Sequence, residues 1–181
     1  MIILASASPR RRELIKMLVD EFIVIPSEVD ESIIHTEPHA LPAELSKLKA
    51  YSIFSEHTED TVIACDTIVI LEGKIMGKPK DEEDAKDMLR RLSGKKHVVI
   101  SGYTYINQEK EITRTVRTYV YFNKLSEETI DAYVKSGSPM DKAGAYGIQD
   151  EEFHLVDHIE GSFYNVVGFP VEDIKAHCFK D

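Results

Sequence analysis

The spacing of apolar positions changes several times along this chain, and each change predicts an element. IILA at residues 2–5 is a continuous apolar run of strand length. In SASPRRRELIKMLV, Ser8 is placed to cap a helix and Pro9 to fill its first position. Leu14, Ile15, Met17 and Leu18 give that helix a core side, and the pattern carries it to about Val19. FIVIP at 22–26 reads as a second strand and SEVDESIIHTEPH at 27–39 as an acidic loop. A helix is predicted over 42–56, with Leu45, Leu48 and Ser52 along one side.

TVIACDTIVILEG at 61–73 is β-branched and apolar, which predicts a central strand ending in a turn at EGK. DEEDAKDMLRRLSG at 81–94 predicts an amphipathic helix. Acids fill its first turn, Ala85, Met88, Leu89 and Leu92 form its stripe, and Gly94 ends it. HVVISGYTYIN and ITRTVRTYVYF predict a long hairpin around NQEK. Residues 126–135 read as a helix capped by Ser126, with Glu127 and Glu128 beside the cap. SGSPMDKAGAYGIQD is a loop of small residues, HLVDHIEGSFYNVVGF predicts another hairpin, and 170–179 a closing helix. Early strand–helix alternation followed by hairpins predicts an α/β fold on a mixed sheet.

The bulk numbers narrow the class. The 181 residues, 43% of them hydrophobic, suit one domain, or one domain with two lobes. A net charge of −10 argues against a general binder of nucleic acid polymers or anionic membranes. An anionic ligand would then need a local basic pocket or a metal ion. Two cysteines, Cys65 and Cys178, make no disulfide framework and point to a reducing compartment. No apolar run of 18 residues predicts a membrane span, and IILA is too short for a signal peptide. A cytoplasmic location is expected.

The candidate chemistry begins with Arg10, Arg11 and Arg12 at the start of a helix, where the dipole disfavours cations by roughly 0.3–1 kcal/mol each. Helical geometry places Arg11 close to the centre of the apolar face, one turn earlier, so that it projects past the helix start. A strand, a serine-containing loop and a helix N-terminus can together hold an anion, and arginines add bidentate contacts to phosphate. A solvated basic patch is the other reading. Asp66 lies within an apolar strand and is either a turn-capping structural acid or a metal ligand or general base. Thr67 points to the opposite face if that strand is regular.

Lys78, ahead of Pro79, and Lys49, at the border of a helix's apolar side, are either surface lysines or phosphate partners. Asp30 and Glu31 are either solvated loop acids or oxygen ligands of the kind Mg²⁺ takes. AGAYGIQ lets backbone approach a ligand closely, and Gln149 can read a base or sugar edge. The seven histidines show no metal-ligand spacing and are expected mostly at the surface. Neither GxxxxGK[ST], GxGxxG nor GxSxG occurs.

LASASPRRRELI, ACDTIV, GKPKD, LSGKKHVVISG and SGSPMDKAGAYGIQ, in this order, resemble the Maf family of nucleoside triphosphate pyrophosphatases. The resemblance runs from Ile3 to about Pro170. It implies an α/β fold with an elongated central mixed sheet flanked by helices, and two lobes with a cleft, similar to inosine triphosphate pyrophosphatases. It also implies cleavage of a nucleoside triphosphate to monophosphate and pyrophosphate, a divalent cation (Mg²⁺ or Mn²⁺), and a homodimer.

The family's catalytic Asp matches Asp66. Its phosphate-binding serine and arginines match Ser6, Arg10 and Arg11, its acidic loop residue Glu31, and its lysines Lys49 and Lys78. DKAGAYGIQ resembles the dTTP/UTP branch, in which Arg10, Thr67 and Gln149 match positions tied to substrate choice. The 7-methyl-GTP branch and a nucleotide-sensing septum-formation regulator are the rival readings. Two departures stand out: Ala64-Cys65 replaces the glycine-alanine common before the catalytic Asp, and Asp150-Glu151-Glu152 replaces a glycine-rich continuation.

Overall fold

A computed structural model describes residues 1–179. Strand β1 (Ile2–Leu4) pairs in parallel with β2 (Ile23–Val24) and with β3 (Thr61–Leu71), in the registers Ile3↔Ile23 and Ile3↔Val62. Parallel neighbours need crossover segments, and those connections contain α1 (Pro9–Ile15) and α2 (Leu41–Phe54). β3 folds back into β4 (Lys74–Met76) through Glu72 and Gly73, both at positive φ (51° and 80°). Two successive left-handed residues are what a two-residue hairpin requires.

Helix α3 (Glu82–Leu92) starts at Asp81, whose carboxylate accepts from the Asp84 N–H at 2.8 Å. β5 (Lys96–Ile106) and β6 (Glu111–Phe122) follow as a hairpin. The Asn107 side chain closes its turn by accepting from the N–H groups of Glu109 and Lys110. α4 (Glu127–Lys135) is capped by Ser126 through the Thr129 N–H. β7 (Val156–Glu160) pairs antiparallel to β6, and α5 (Phe163–Val167) and α6 (Val171–Cys178) complete the described chain. The seven strands form one mixed sheet in the order β2-β1-β3-β5-β6-β7, with β4 on β3.

Two compact units divide the chain. The first comprises Met1–Thr67, Ile100–Val116 and the chain from Gly168 on, and its core includes Ile3, Ala5, Ala50, Ile53, Val62, Ala64 and Ile106. The second comprises Ile68–Val99 and Arg117–Val167, and its core is built on Leu89, Leu92, Val120, Phe122, Ile130 and Tyr133.

Two expectations are corrected. α1 ends at Ile15, not Val19, because the Met17 and Leu18 N–H groups bond three residues back, to Leu14 and Ile15, and tighten the chain into turns. Met17 is consequently exposed. The stretch 154–169 is not a hairpin: Gly161 (φ 131°) ends β7, and the Ser162 hydroxyl accepts from the Asn165 N–H to start α5. Buried Asn165 donates to the Val99 carbonyl and the Thr118 hydroxyl, which outweighs the β-propensity of FYNVV. The histidines lie mostly at or near the surface, as expected, with His97 buried.

Candidate active site

The first unit's site starts from the packing of α2. Gly102 on β5 has no side chain where the backbone of Pro42 and Ala43 passes; a methyl group there would overlap both. That close approach lets buried Ser46 meet Thr104, hydroxyl to hydroxyl, at 2.8 Å, and Thr104 continues to Thr113 at 2.9 Å. Three residues after Ser46, on the same helix face, comes Lys49. Its Nζ lies 2.9 Å from Oδ1 of Asp66 and 3.1 Å from Oε1 of Glu31. The Lys49 and Asp66 side chains are 16% and 15% exposed, so their attraction is only partly screened by water.

Glu31 reaches Lys49 from a single 3₁₀ turn, Glu31–Ile33. The neighbouring acid does not join it. Asp30 accepts from the Ser32 hydroxyl at 2.6 Å and the Ser32 N–H at 3.0 Å, capping that turn. Those bonds hold the Asp30 carboxyl below its ordinary value. The two loop acids, equivalent in sequence, are thus divided between cap and site.

On the other face of β3, Thr67 is the centre of a second cluster. Its hydroxyl lies 2.7 Å from the Ser101 hydroxyl, accepts from Arg11 Nη2 at 3.1 Å, and donates toward the Gly168 carbonyl at 3.3 Å. Arg11 Nε donates to that same carbonyl at 2.8 Å. Arg11 thus reaches a residue four positions further along β3 than Ile63, the partner of β1's last residue, Leu4. Its backbone N–H is also engaged, by the Ser8 hydroxyl at 3.3 Å, while the Ser8 N–H donates to buried Ser6 at 3.1 Å. α1 has seven residues, Pro9 at its start has no N–H, and the Arg11 N–H is taken by the Ser8 cap; the arginine side chains are what it offers an anion. Arg10 is half-buried and Arg12 exposed. Between the clusters Cys65 is fully enclosed, and burial pushes its thiol up, so it is an inert core group rather than a nucleophile.

Lys78 and Gln149 belong to the second unit and are both exposed. Their segments are joined there: the Gly144 N–H donates to the Gly77 carbonyl at 3.1 Å. Gly144 (φ 74°) and Ala145 (φ 62°) are consecutive left-handed residues, and Ala145 is fully buried. An alanine held in that region costs roughly 1–2 kcal/mol, so its surroundings must impose the loop's path.

The family profile described as Maf-like protein matches residues 1–178. The chain belongs to the Maf family. The dTTP/UTP pyrophosphatase of Thermococcus onnurineus is 48% identical over 172 residues, spanning 95% of this chain and 93% of that protein. The dTTP/UTP pyrophosphatase of Clostridioides difficile is 47% identical over 173 residues, spanning 94% and 89%. Among solved structures, the Staphylococcus aureus Ham1 protein aligns at 17% identity with a TM-score of 0.49, over 70% of this chain and 72% of that one.

Within this Maf-family chain, sequence reasoning missed Ser101 and Gly168, which fix Thr67 and Arg11. Both lie far from their partners in sequence, and neither residue type signals the contact. It also missed Tyr133, whose hydroxyl ties the loop bearing Gln149; a tyrosine on an apolar helix stripe reads only as core.

Proposed function

We propose that this protein cleaves dTTP and UTP to the nucleoside monophosphate and pyrophosphate. The observation that carries this reading is the Lys49 ammonium held between two carboxylates, Asp66 in mid-strand and Glu31 on its turn. The names borne by relatives 46–48% identical to the chain support the substrate class.

Asp66 is the general base. It takes a proton from a water whose oxygen forms a new bond to phosphorus, while the bridging P–O bond breaks and its electron pair leaves with the departing phosphate group. Positioning and charge compensation dominate such transfers. Ser6, Arg10, Arg11, Lys49 and Lys78 bind the phosphates; Arg11 has five N–H donors and uses Nε and Nη2 on Gly168 and Thr67. Thr67 orients Arg11, and Gln149 contacts the base.

A divalent cation, Mg²⁺ or Mn²⁺, fits Asp66 and Glu31. The two carboxylates already share one cation, the Lys49 ammonium. Among the described residues no group of three or more His, Cys, Asp or Glu is placed to hold a metal ion, so Asp66 and Glu31 would hold such an ion together with water and phosphate oxygens, as is usual for Mg²⁺. When bound, such an ion neutralises phosphate charge. A homodimer and a cytoplasmic location belong to the same reading; among the described residues no helix is long and apolar enough to cross a membrane.

The test is product analysis with Mg²⁺ and, separately, dTTP, UTP, CTP, GTP and 7-methyl-GTP. Monophosphate and pyrophosphate from dTTP and UTP are expected. Diphosphate and orthophosphate would refute the chemistry, and a preference for 7-methyl-GTP would refute the branch.

A further inference from the structure

We infer that Tyr133 and Asp150 form a staple that fixes the turn carrying Gln149, and that the nucleobase preference of this chain depends on it. The inference rests on the proposed role of Gln149 as the base-contacting residue.

Tyr133, on α4, is fully buried. Its hydroxyl donates to Oδ2 of Asp150 at 2.6 Å and accepts from the Gly147 N–H at 2.9 Å. Gly147 and Asp150 are the two ends of one four-residue turn, closed by the Asp150 N–H on the Gly147 carbonyl at 3.1 Å. A single hydroxyl therefore donates to one end of the turn and accepts from the other. The central residues of that turn are Ile148 and Gln149, and Gln149 is exposed at its tip.

The staple is braced from outside. The Ser138 hydroxyl donates to the same Asp150 Oδ2 at 2.6 Å, and Lys142 Nζ donates to the Ser138 carbonyl at 2.6 Å. Gly147 packs closely on this network: a methyl group there would lie 2.8 Å from Lys142 Cε and 3.2 Å from the Asp150 carboxylate, so the Lys142 side chain would have to move to admit one. The Asp150 carboxylate thus points inward, onto two hydroxyls. Glu151 and Glu152 remain exposed on the 3₁₀ turn Glu151–Phe153.

Of the three acids that replace a glycine-rich continuation, Asp150 alone is built into the loop, and a glycine there makes no such bond. Asp150 and Tyr133 are positioning residues. They act through Gln149, whose amide pairs with a base edge only if the turn presents it in one orientation; an exposed glutamine on a loose turn discriminates less, because it must be ordered at each binding event.

The experiment is a double-mutant cycle read as the ratio of kcat/KM for UTP over GTP. The variants are Gln149→Ala, Asp150→Ala and their combination, with Asp150→Asn and Tyr133→Phe alongside and melting temperatures for all. Asp150→Ala and Tyr133→Phe are expected to lower the ratio by about tenfold, chiefly through the KM for UTP. Asp150→Asn retains an acceptor oxygen and keeps most of the ratio. In the Gln149→Ala background, Asp150→Ala changes the ratio by less than about twofold.

An equal effect of Asp150→Ala in both backgrounds overturns the inference, as does a wild-type ratio in both Tyr133→Phe and Asp150→Ala. If Asp150→Ala does not fold, Tyr133→Phe and Asp150→Asn decide. A wild-type ratio in Gln149→Ala alone refutes the base-contact role instead, and the inference with it. If the wild type binds nucleotides without turnover, the hydrolytic reading fails separately, and the same cycle is read from Kd values for UTP and GTP.

Discussion

In the proposed reaction the chemistry turns on Asp66 and Lys49, and their environment separates two effects. Asp66→Asn keeps the side chain's shape and an oxygen facing Lys49, but removes the basic site. Turnover is expected to fall by roughly 10²–10⁴-fold, with nucleotide affinity and melting temperature near wild type; steady-state kinetics and calorimetric titration check this, and near-normal turnover removes Asp66 from the mechanism. Arg11→Ala behaves differently. It deprives Thr67 and the Gly168 carbonyl of a donor and, on the proposed reading, the phosphates of a cation, so KM should rise and kcat fall together. Asp66 was legible in the sequence because a carboxylate in an apolar strand demands a partner. Lys49 was legible only as a helix residue beside an apolar face. The roles of Ser101 and Gly168 were not legible, because they exist only once segments 34 and 101 residues from Thr67 are brought to it.

At the scale of elements, α2 carries Lys49, and the contact of α2 with β5 sets where that lysine lies. Gly102 is the narrow point, since any side chain there meets the backbone of Pro42 and Ala43. Gly102→Ala is expected to push α2 off the sheet, strain the Ser46–Thr104 contact and cost about 1–3 kcal/mol, as overpacking commonly does. Urea unfolding measures the loss. Gly102→Ala should also lower kcat/KM for UTP through the displaced lysine, whereas wild-type stability and activity would show that α2 is placed by something else. Helices α3 and α4 were readable to within a residue or two, since caps, acidic first turns and apolar stripes are local signals. β4 and α5 were not. β4 is a three-residue strand that exists only against β3, and α5 is held helical by Asn165 reaching Val99 and Thr118, contacts that outweigh local propensity.

The whole molecule's response to acid follows from one buried imidazole. His97 is 3% exposed, its Nε2 lies 2.6 Å from the Tyr146 hydroxyl, and its Nδ1 has no hydrogen-bond partner. Phe122 and Tyr146 both pack edge-on to the ring, at 5.3 Å between centroids. Burial in this apolar setting pushes the imidazole down from 6.5 to about 4. Between those values the unfolded chain binds a proton that the folded chain does not, so stability rises with pH across the window. It is fully present above about pH 6.5 and is lost progressively as pH falls toward 4, by about 3 kcal/mol in all. The shifted carboxylates act lower: exposed Glu72 is held below 4.5 by its bond from Lys95, so its contribution begins to be lost only near the foot of the window. Asp173, although burial opposes it, is held below 3.8 by its bonds from Arg114 and Tyr103, so its contribution is lost only as pH falls below that value. The upper part of the interval, from pH 6.5 to about 5, therefore reports on His97. The free energy of unfolding, measured by urea titration at half-unit steps of pH, should drop steeply there in the wild type. It should drop much less in His97→Phe/Tyr146→Phe, which removes both polar partners together and leaves neither unpaired. Equal slopes in the two proteins would mean that His97 takes up its proton without unfolding the chain. Tyr146 immediately precedes Gly147, so the imidazole that sets this acid limit also anchors the segment presenting Gln149.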